Sequence, residues 1–218
     1  MVDLGVAQDI IGNFFNDLVT FGFKGATKEL RVQELWSRLR AYYAEAKSPV
    51  RLDSLTADMF QRAKQAPKLR AKGGETRHLL PFCAILSKEL MGLSEHWAAV
   101  HHCLDALLEC AKTAATFPFD ADRLAMYSRR VCLLWKALSE EQEGQGNLNN
   151  WRIKPKMHLF QELCEFKAAR FGSPELFWCY MDESWCGFMA TAAKRRGGRN
   201  PAAAVPERLL NRFRAMRG

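Results

Sequence analysis

The side chains best suited to chemistry are the adjacent acids Asp182 and Glu183, set in the segment Phe177-Trp178-Cys179-Tyr180-Met181-Asp182-Glu183-Ser184-Trp185-Cys186-Gly187. At about 100° per residue, Trp178, Met181, Trp185, Phe188, Met189 and Ala192 share one broad apolar face of a helix. Asp182 projects within that face and Glu183 lies on its flank. A carboxylate on an apolar face is costly unless it meets a cation or a metal ion. Two readings stand side by side: a buried ion pair with an arginine such as Arg152 or Arg130, and a metal-binding or general acid–base carboxylate. A small complete enzyme would draw on Asp182, Glu183 and His158.

Other chemistries find less to work with. The seven cysteines, Cys83, Cys103, Cys110, Cys132, Cys164, Cys179 and Cys186, form no CxxC pair. Cys103 and Cys110 are seven apart on one helix, as are Cys179 and Cys186, a rise of about 10 Å that is too long for two sulfurs on one zinc. His101, His102 and Cys103 point in different directions around their helix. Small buried thiols are the expectation. No GxSxG, phosphate loop or dinucleotide fingerprint occurs, and Lys72-Gly73-Gly74-Glu75 reads as a turn. An odd cysteine count without a leading signal peptide suits reduced thiols in an intracellular protein, nuclear or cytoplasmic.

Charge points to a polyanion. The chain of 218 residues carries +8, and residues 194–218 alone hold eight basic side chains against Glu207. Lys194, Arg195, Arg196, Arg199, Arg208, Arg212 and Arg214 are the nucleic-acid-binding candidates in that segment. A second run, 62–77, sets Arg62, Lys64, Lys68, Arg70, Lys72 and Arg77 against Glu75. Such clusters suit nucleic acid, and a solvated basic surface is the plainer alternative. No motif reads base edges. Trp151, Trp178 and Trp185 could stack on bases, but most sit at core-like spacings, so stacking is not expected.

The elements that must position these residues are helices. Val6, Ile10, Phe14, Leu18 and Phe21 recur at spacings of three and four, giving an amphipathic helix over 5–21 that stops at Gly22. The same periodicity predicts helices over 28–46, 75–91 with Pro81 kinking it or marking its start, 94–116, and from an Asp120 cap to about Glu141. A short helix capped by Ser54 or Thr56 precedes the break at Gln65–Lys68. Pro155 suits a first helical position, and Ser173-Pro174-Glu175 starts a helix expected to reach Arg196. Pro206 opens a last short basic helix. The expectation is an all-α, irregular bundle of about eight or nine helices with little or no β-sheet. Residues 1–193 form one helical domain, with 144–150 as its most loop-like stretch and the only place for an internal boundary, and 194–218 is a basic C-terminal segment. No apolar run is long enough to span a bilayer, so no membrane is expected.

Four segments, taken in order, resemble the eukaryotic DDE-type transposases of the RNase H-like superfamily. Met1-Val2-Asp3-Leu4-Gly5-Val6 with its helix is similar to the stretch that follows the second catalytic aspartate. Pro67–His78 and Lys154-Pro155-Lys156-Met157-His158-Leu159-Phe160 are similar to parts of the helical insertion. Tyr180-Met181-Asp182-Glu183 resembles the Tyr-x-x-Glu that supplies the third acid. The resemblance implies that Glu183 is a magnesium ligand beside Asp182, in a site where three carboxylates hold two Mg²⁺ for phosphoryl transfer. The first two aspartates would fall before Met1 and the RNase H strands are missing, so the chain alone needs no cofactor and should not cut DNA. A transposase-derived helical fragment associated with DNA is therefore the leading expectation. A stand-alone helical module, binding nucleic acid or an acidic protein through its basic tail, is the alternative. Helix faces that evolved to pack on a missing core would favour a homo-oligomer.

Overall fold

A computed structural model describes residues 5–177. Contacts divide the chain into two compact units, Met1–Leu176 and Phe177–Gly218. The described residues are helical, with no strand among them. The elements are α1 (Ala7–Asp17), α2 (Lys28–Glu45), α3 (Gly73–Leu90), α4 (Glu95–Ala115), α5 (Ala121–Gly144), α6 (Pro155–Glu162) and the short α7 (Ala168–Phe171). Wider single turns, Leu18–Gly22 and Leu163–Lys167, extend α1 and join α6 to α7; 3₁₀ turns occupy Ala57–Met59 and Pro174–Phe177. The helices expected beyond Phe177 lie outside the described residues.

Local chemistry sets most of the boundaries. The Ser94 side chain accepts from Trp97 N, and that of Asp120 from Arg123 N, each satisfying a donor that the first helical turn leaves open. Glu75 accepts from Lys72 N at the start of α3. Pro155 occupies the first turn of α6, where its missing N–H is not needed. Pro81 is inside α3, which runs through it from Gly73 to Leu90, so the proline does not mark the helix start. The helix after Asp120 continues one turn past Glu141, to Gly144.

α4 and α5 form an antiparallel hairpin whose facing stripes are apolar. Trp97, Val100, Leu104 and Leu107 on α4 are buried, as are Leu124, Val131, Trp135 and Leu138 on α5. Each such side chain contributes about 1.5–3 kcal/mol by leaving water. Cys103, Cys110, Cys132 and Cys164 are free, buried thiols, and Cys83 is another on α3. Burial pushes the Cys132 thiol up to about 11 and that of Cys164 up to about 12, so they pack as small apolar groups.

α1 is different in kind, because all eleven of its residues are buried. Ile10, Ile11, Phe14 and Phe15 form its apolar side, where Phe15 meets the Phe60 ring edge-on at 5.9 Å and Phe14 meets Trp97 at 6.3 Å. Its other side, the i, i+4 stripes Gln8–Gly12–Asn16 and Asp9–Asn13–Asp17, is polar and equally dry. That side is where the described part of the molecule concentrates its chemistry.

Candidate nucleic-acid interface

A buried polar group must find partners or lose a kilocalorie or more. The polar face of α1 finds them in two loops and a lysine pair. The first loop runs from Ala57 to Lys72. It is pinched shut by two main-chain bonds, Lys68 N to Phe60 O (2.9 Å) and Arg70 N to Met59 O (2.7 Å). Leu69 N then donates to Gln8 O at 2.8 Å, and Gln8 Nε2 donates to Ala71 O at 2.7 Å. Gly12 permits this approach: a Cβ there would lie 2.5 Å from Lys68 Cα and from Leu69 N. The loop backbone is thus laid directly on the helix. What projects between the pinch points is Gln61-Arg62-Ala63-Lys64-Gln65, with two of the six basic residues of the run picked out by charge.

The second loop, 145–154, follows α5. Gln142, buried in the last turn of α5, gathers it: Asn147 N donates to Gln142 O at 2.8 Å, and the amides of Asn147 and Asn150 donate to Gln142 Oε1. The loop ends on Trp151, which is fully buried and holds a left-handed backbone (φ 52°). Its N–H donates to Asn13 Oδ1 at 2.6 Å, its indole N–H to Asp17 Oδ2 at 2.6 Å, and its carbonyl accepts from Trp135 Nε1 at 2.8 Å. Trp151 is therefore a structural anchor and offers no face to a base, in keeping with the core-like spacing of the aromatics.

Two charged clusters complete the polar face. Asp9, wholly buried, lies 3.1 Å from Lys154 Nζ and 2.6 Å from Lys156 Nζ; Lys156 also donates to Gly5 O at 3.0 Å. Burial holds the Lys156 ammonium below its ordinary value despite Asp9, and the nearby charges of Lys68 and Lys154 act in the same direction as burial. At the other end of α1, His96 of α4 donates from Nδ1 to Glu141 (2.7 Å) and from Nε2 to Asp17 (3.1 Å). Both ring nitrogens face carboxyl groups, which favours the charged form of the ring. Burial disfavours that charge, but the bonds to Asp17 and Glu141 outweigh it and raise the His96 pKa. Burial likewise raises the Asp17 carboxyl, against the lowering effect of its bonds from His96 and Trp151.

The two loops enclose an open groove of about 720 Å³. Arg62, Lys64 and Gln65 line it from the first loop, Asn147, Asn149 and Asn150 from the second, and Lys28 of α2 joins them. Lys28 is bonded to Gln61, tying α2 to the first loop. Arg62 and Lys64 are exposed, and neither forms an ion pair among the described residues. Asp58 is the one acid in the lining among the described residues.

The site residues expected from sequence fare unevenly. Asp182, Glu183 and the basic set Lys194, Arg195, Arg196, Arg199, Arg208, Arg212 and Arg214 lie outside the described residues. His158 is exposed on α6. No group of three or more His, Cys, Asp or Glu side chains among the described residues is arranged to hold a metal ion. The basic run at 62–77 is at the surface in part, and its companion wall of asparagines was read only as a loop. The anchors Gln8, Asp9, Asn13 and Asp17 escaped sequence reading altogether, although their i, i+4 spacing was there to see. No family model, curated protein or solved structure matches the chain. No helix among the described residues is long and apolar enough to cross a membrane.

Proposed function

We propose that this chain is a nucleic-acid-associated helical protein of transposase-derived type. The observation that carries the proposal is the display of cations without carboxylate partners, Arg62 and Lys64, on a loop held rigidly against α1, in a chain of net charge +8. The basic segment 194–218 contributes eight arginines and lysines to the net charge. The transposase-like character rests on the ordered motifs, and an adjacency supports it: the start of α1, the Pro67–Lys72 stretch and the Lys154–Lys156 stretch all meet on Gln8 and Asp9. In this reading Glu183, with Asp182 beside it, binds Mg²⁺ only where two further aspartates are supplied, and the chain alone associates with DNA without cutting it.

Binding of a labelled oligonucleotide across a salt series tests the reading. Affinity should fall steeply between 50 and 200 mM salt, because each phosphate neutralised releases counterions. No binding at 50 mM would end it. Binding that prefers an acidic polypeptide over DNA of equal charge would favour the stand-alone interaction module instead.

A further inference from the structure

We propose that the groove between the Asp58–Pro67 and Gly146–Asn150 stretches is a binding site for the sugar–phosphate backbone of a single nucleic-acid strand. The inference rests on the nucleic-acid reading above and gives it a place on the described unit.

The groove combines cations with neutral amides. Arg62, Lys64 and Lys28 supply positive charge, and Asn147, Asn149 and Asn150 supply side chains that donate to phosphate oxygens and accept from sugar hydroxyls or base edges. At about 720 Å³ it has the size of a small-molecule cleft, with the volume for a nucleotide or two of one strand and not for a turn of duplex. Being open at the surface, it lets a chain enter and leave. No aromatic side chain among the described residues lines it, so binding is electrostatic, tolerant of sequence and sensitive to salt.

The lining also includes left-handed backbone. Lys64 stands at φ 60°, a conformation that suits glycine or asparagine. Gly146, on the facing wall, takes φ 81° with the residue type that conformation favours. Nothing in the packing requires a lysine at position 64, since it is exposed and without an ion pair among the described residues. Lys47 holds a similar left-handed backbone (φ 48°) and does not line the groove, so the case for Lys64 rests on its exposed charge in the lining.

The test uses the full chain and fluorescent (dT)₂₀ and (rU)₂₀, read by anisotropy from 50 to 200 mM salt, with thermal melting in parallel. Lys64→Gly should melt at an equal or higher temperature while binding about tenfold more weakly at 50 mM. Lys64→Asn, which also tolerates the left-handed backbone, should match it. Arg62→Ala combined with Lys64→Gly should lower the slope of log affinity against log salt by about 1.4, or 0.7 for each cation lost. Unequal affinities for the two oligonucleotides with the same loss in the variants would support the site and assign its sugar preference. If the wild-type chain binds neither oligonucleotide, the nucleic-acid reading itself fails. If it binds and the variants bind with unchanged affinity and slope, the groove is not the site while the nucleic-acid reading stands. A duplex that binds as tightly, with the same dependence on Arg62 and Lys64, would overturn the single-strand assignment.

Discussion

The α4–α5 hairpin and helix α1 are both buried, and they are buried by opposite means. The hairpin closes on apolar stripes, Trp97–Val100–Leu104–Leu107 against Leu124–Val131–Trp135–Leu138, and its stability follows the area it removes from water. α1 has such a stripe on one side only. Its other side is held by hydrogen bonds to loop backbone, by Asp9 between two lysines and by Asp17 between His96 and Trp151. Apolar contacts tolerate sliding, whereas a carbonyl or carboxylate meets a particular N–H. The polar side of α1 therefore fixes where two loops sit, and those loops are the walls of the groove. In this molecule the apolar contacts build the scaffold and the buried polar ones position the site.

Mutations can break that contrast, and the largest expected effect is at Asp9. Asp9→Ala leaves the partly buried Lys154 and Lys156 side by side without their counter-charge and should destabilise the fold by about 3–5 kcal/mol in denaturant titrations. Leu104→Ala in the hairpin should cost a comparable 2–5 kcal/mol, but by opening an apolar void that leaves the groove in place. Equal oligonucleotide affinity in Leu104→Ala and in the wild type, measured where both are folded, would uphold the division of labour.

Gly12→Ala comes next. Its methyl would press on Lys68 and Leu69 main chain rather than on a yielding side chain, so about 1–3 kcal/mol should be lost and the 57–72 loop displaced. Oligonucleotide affinity should fall with it. Asn13→Ala orphans the buried Trp151 N–H and should cost about 1–3 kcal/mol, with faster proteolysis confined to the 145–154 loop.

The smallest expected effect concerns pH. The His96 pKa is raised by Asp17 and Glu141, so its contribution is complete below the ordinary value of 6.5 and is lost as pH rises through the folded value. Asp17 is also raised, so the fold holds that proton more tightly than the unfolded chain and loses stability as pH climbs above 3.8 toward the folded pKa. Denaturation midpoints should therefore decline from pH 6.5 upward, and His96→Gln should flatten that decline.

Much of the helical scaffold was legible in the sequence, for physical reasons. Apolar residues at 3.6-residue spacing, the Ser94 and Asp120 caps, and Pro155 in a first turn act locally, so their consequences can be read locally. The polar half of α1 could not be read in this way. Gln8, Asp9, Asn13 and Asp17 repeat at the spacing of any solvent-facing helix, and only residues some 60 to 145 positions away decide that they are dry. The groove was legible as charge at 62–77 and as a loop at 144–150, but not as two walls of one cleft, because their meeting depends on those same distant bonds. The core-like spacing of the aromatics told against stacking by Trp151, but its partners Asn13 and Asp17 could not be read because they lie far up the chain.

The central claim is that the polar face of α1 pins the two loops. Native-state hydrogen exchange of the Leu69 and Trp151 amides tests it most directly, since they donate to Gln8 O and Asn13 Oδ1. If the claim holds, both loop amides exchange as slowly as those of Ile10 and Phe14 inside the helix, through the same cooperative opening. Exchange at the rate of the exposed residues around Lys64 and Asn149 would contradict it.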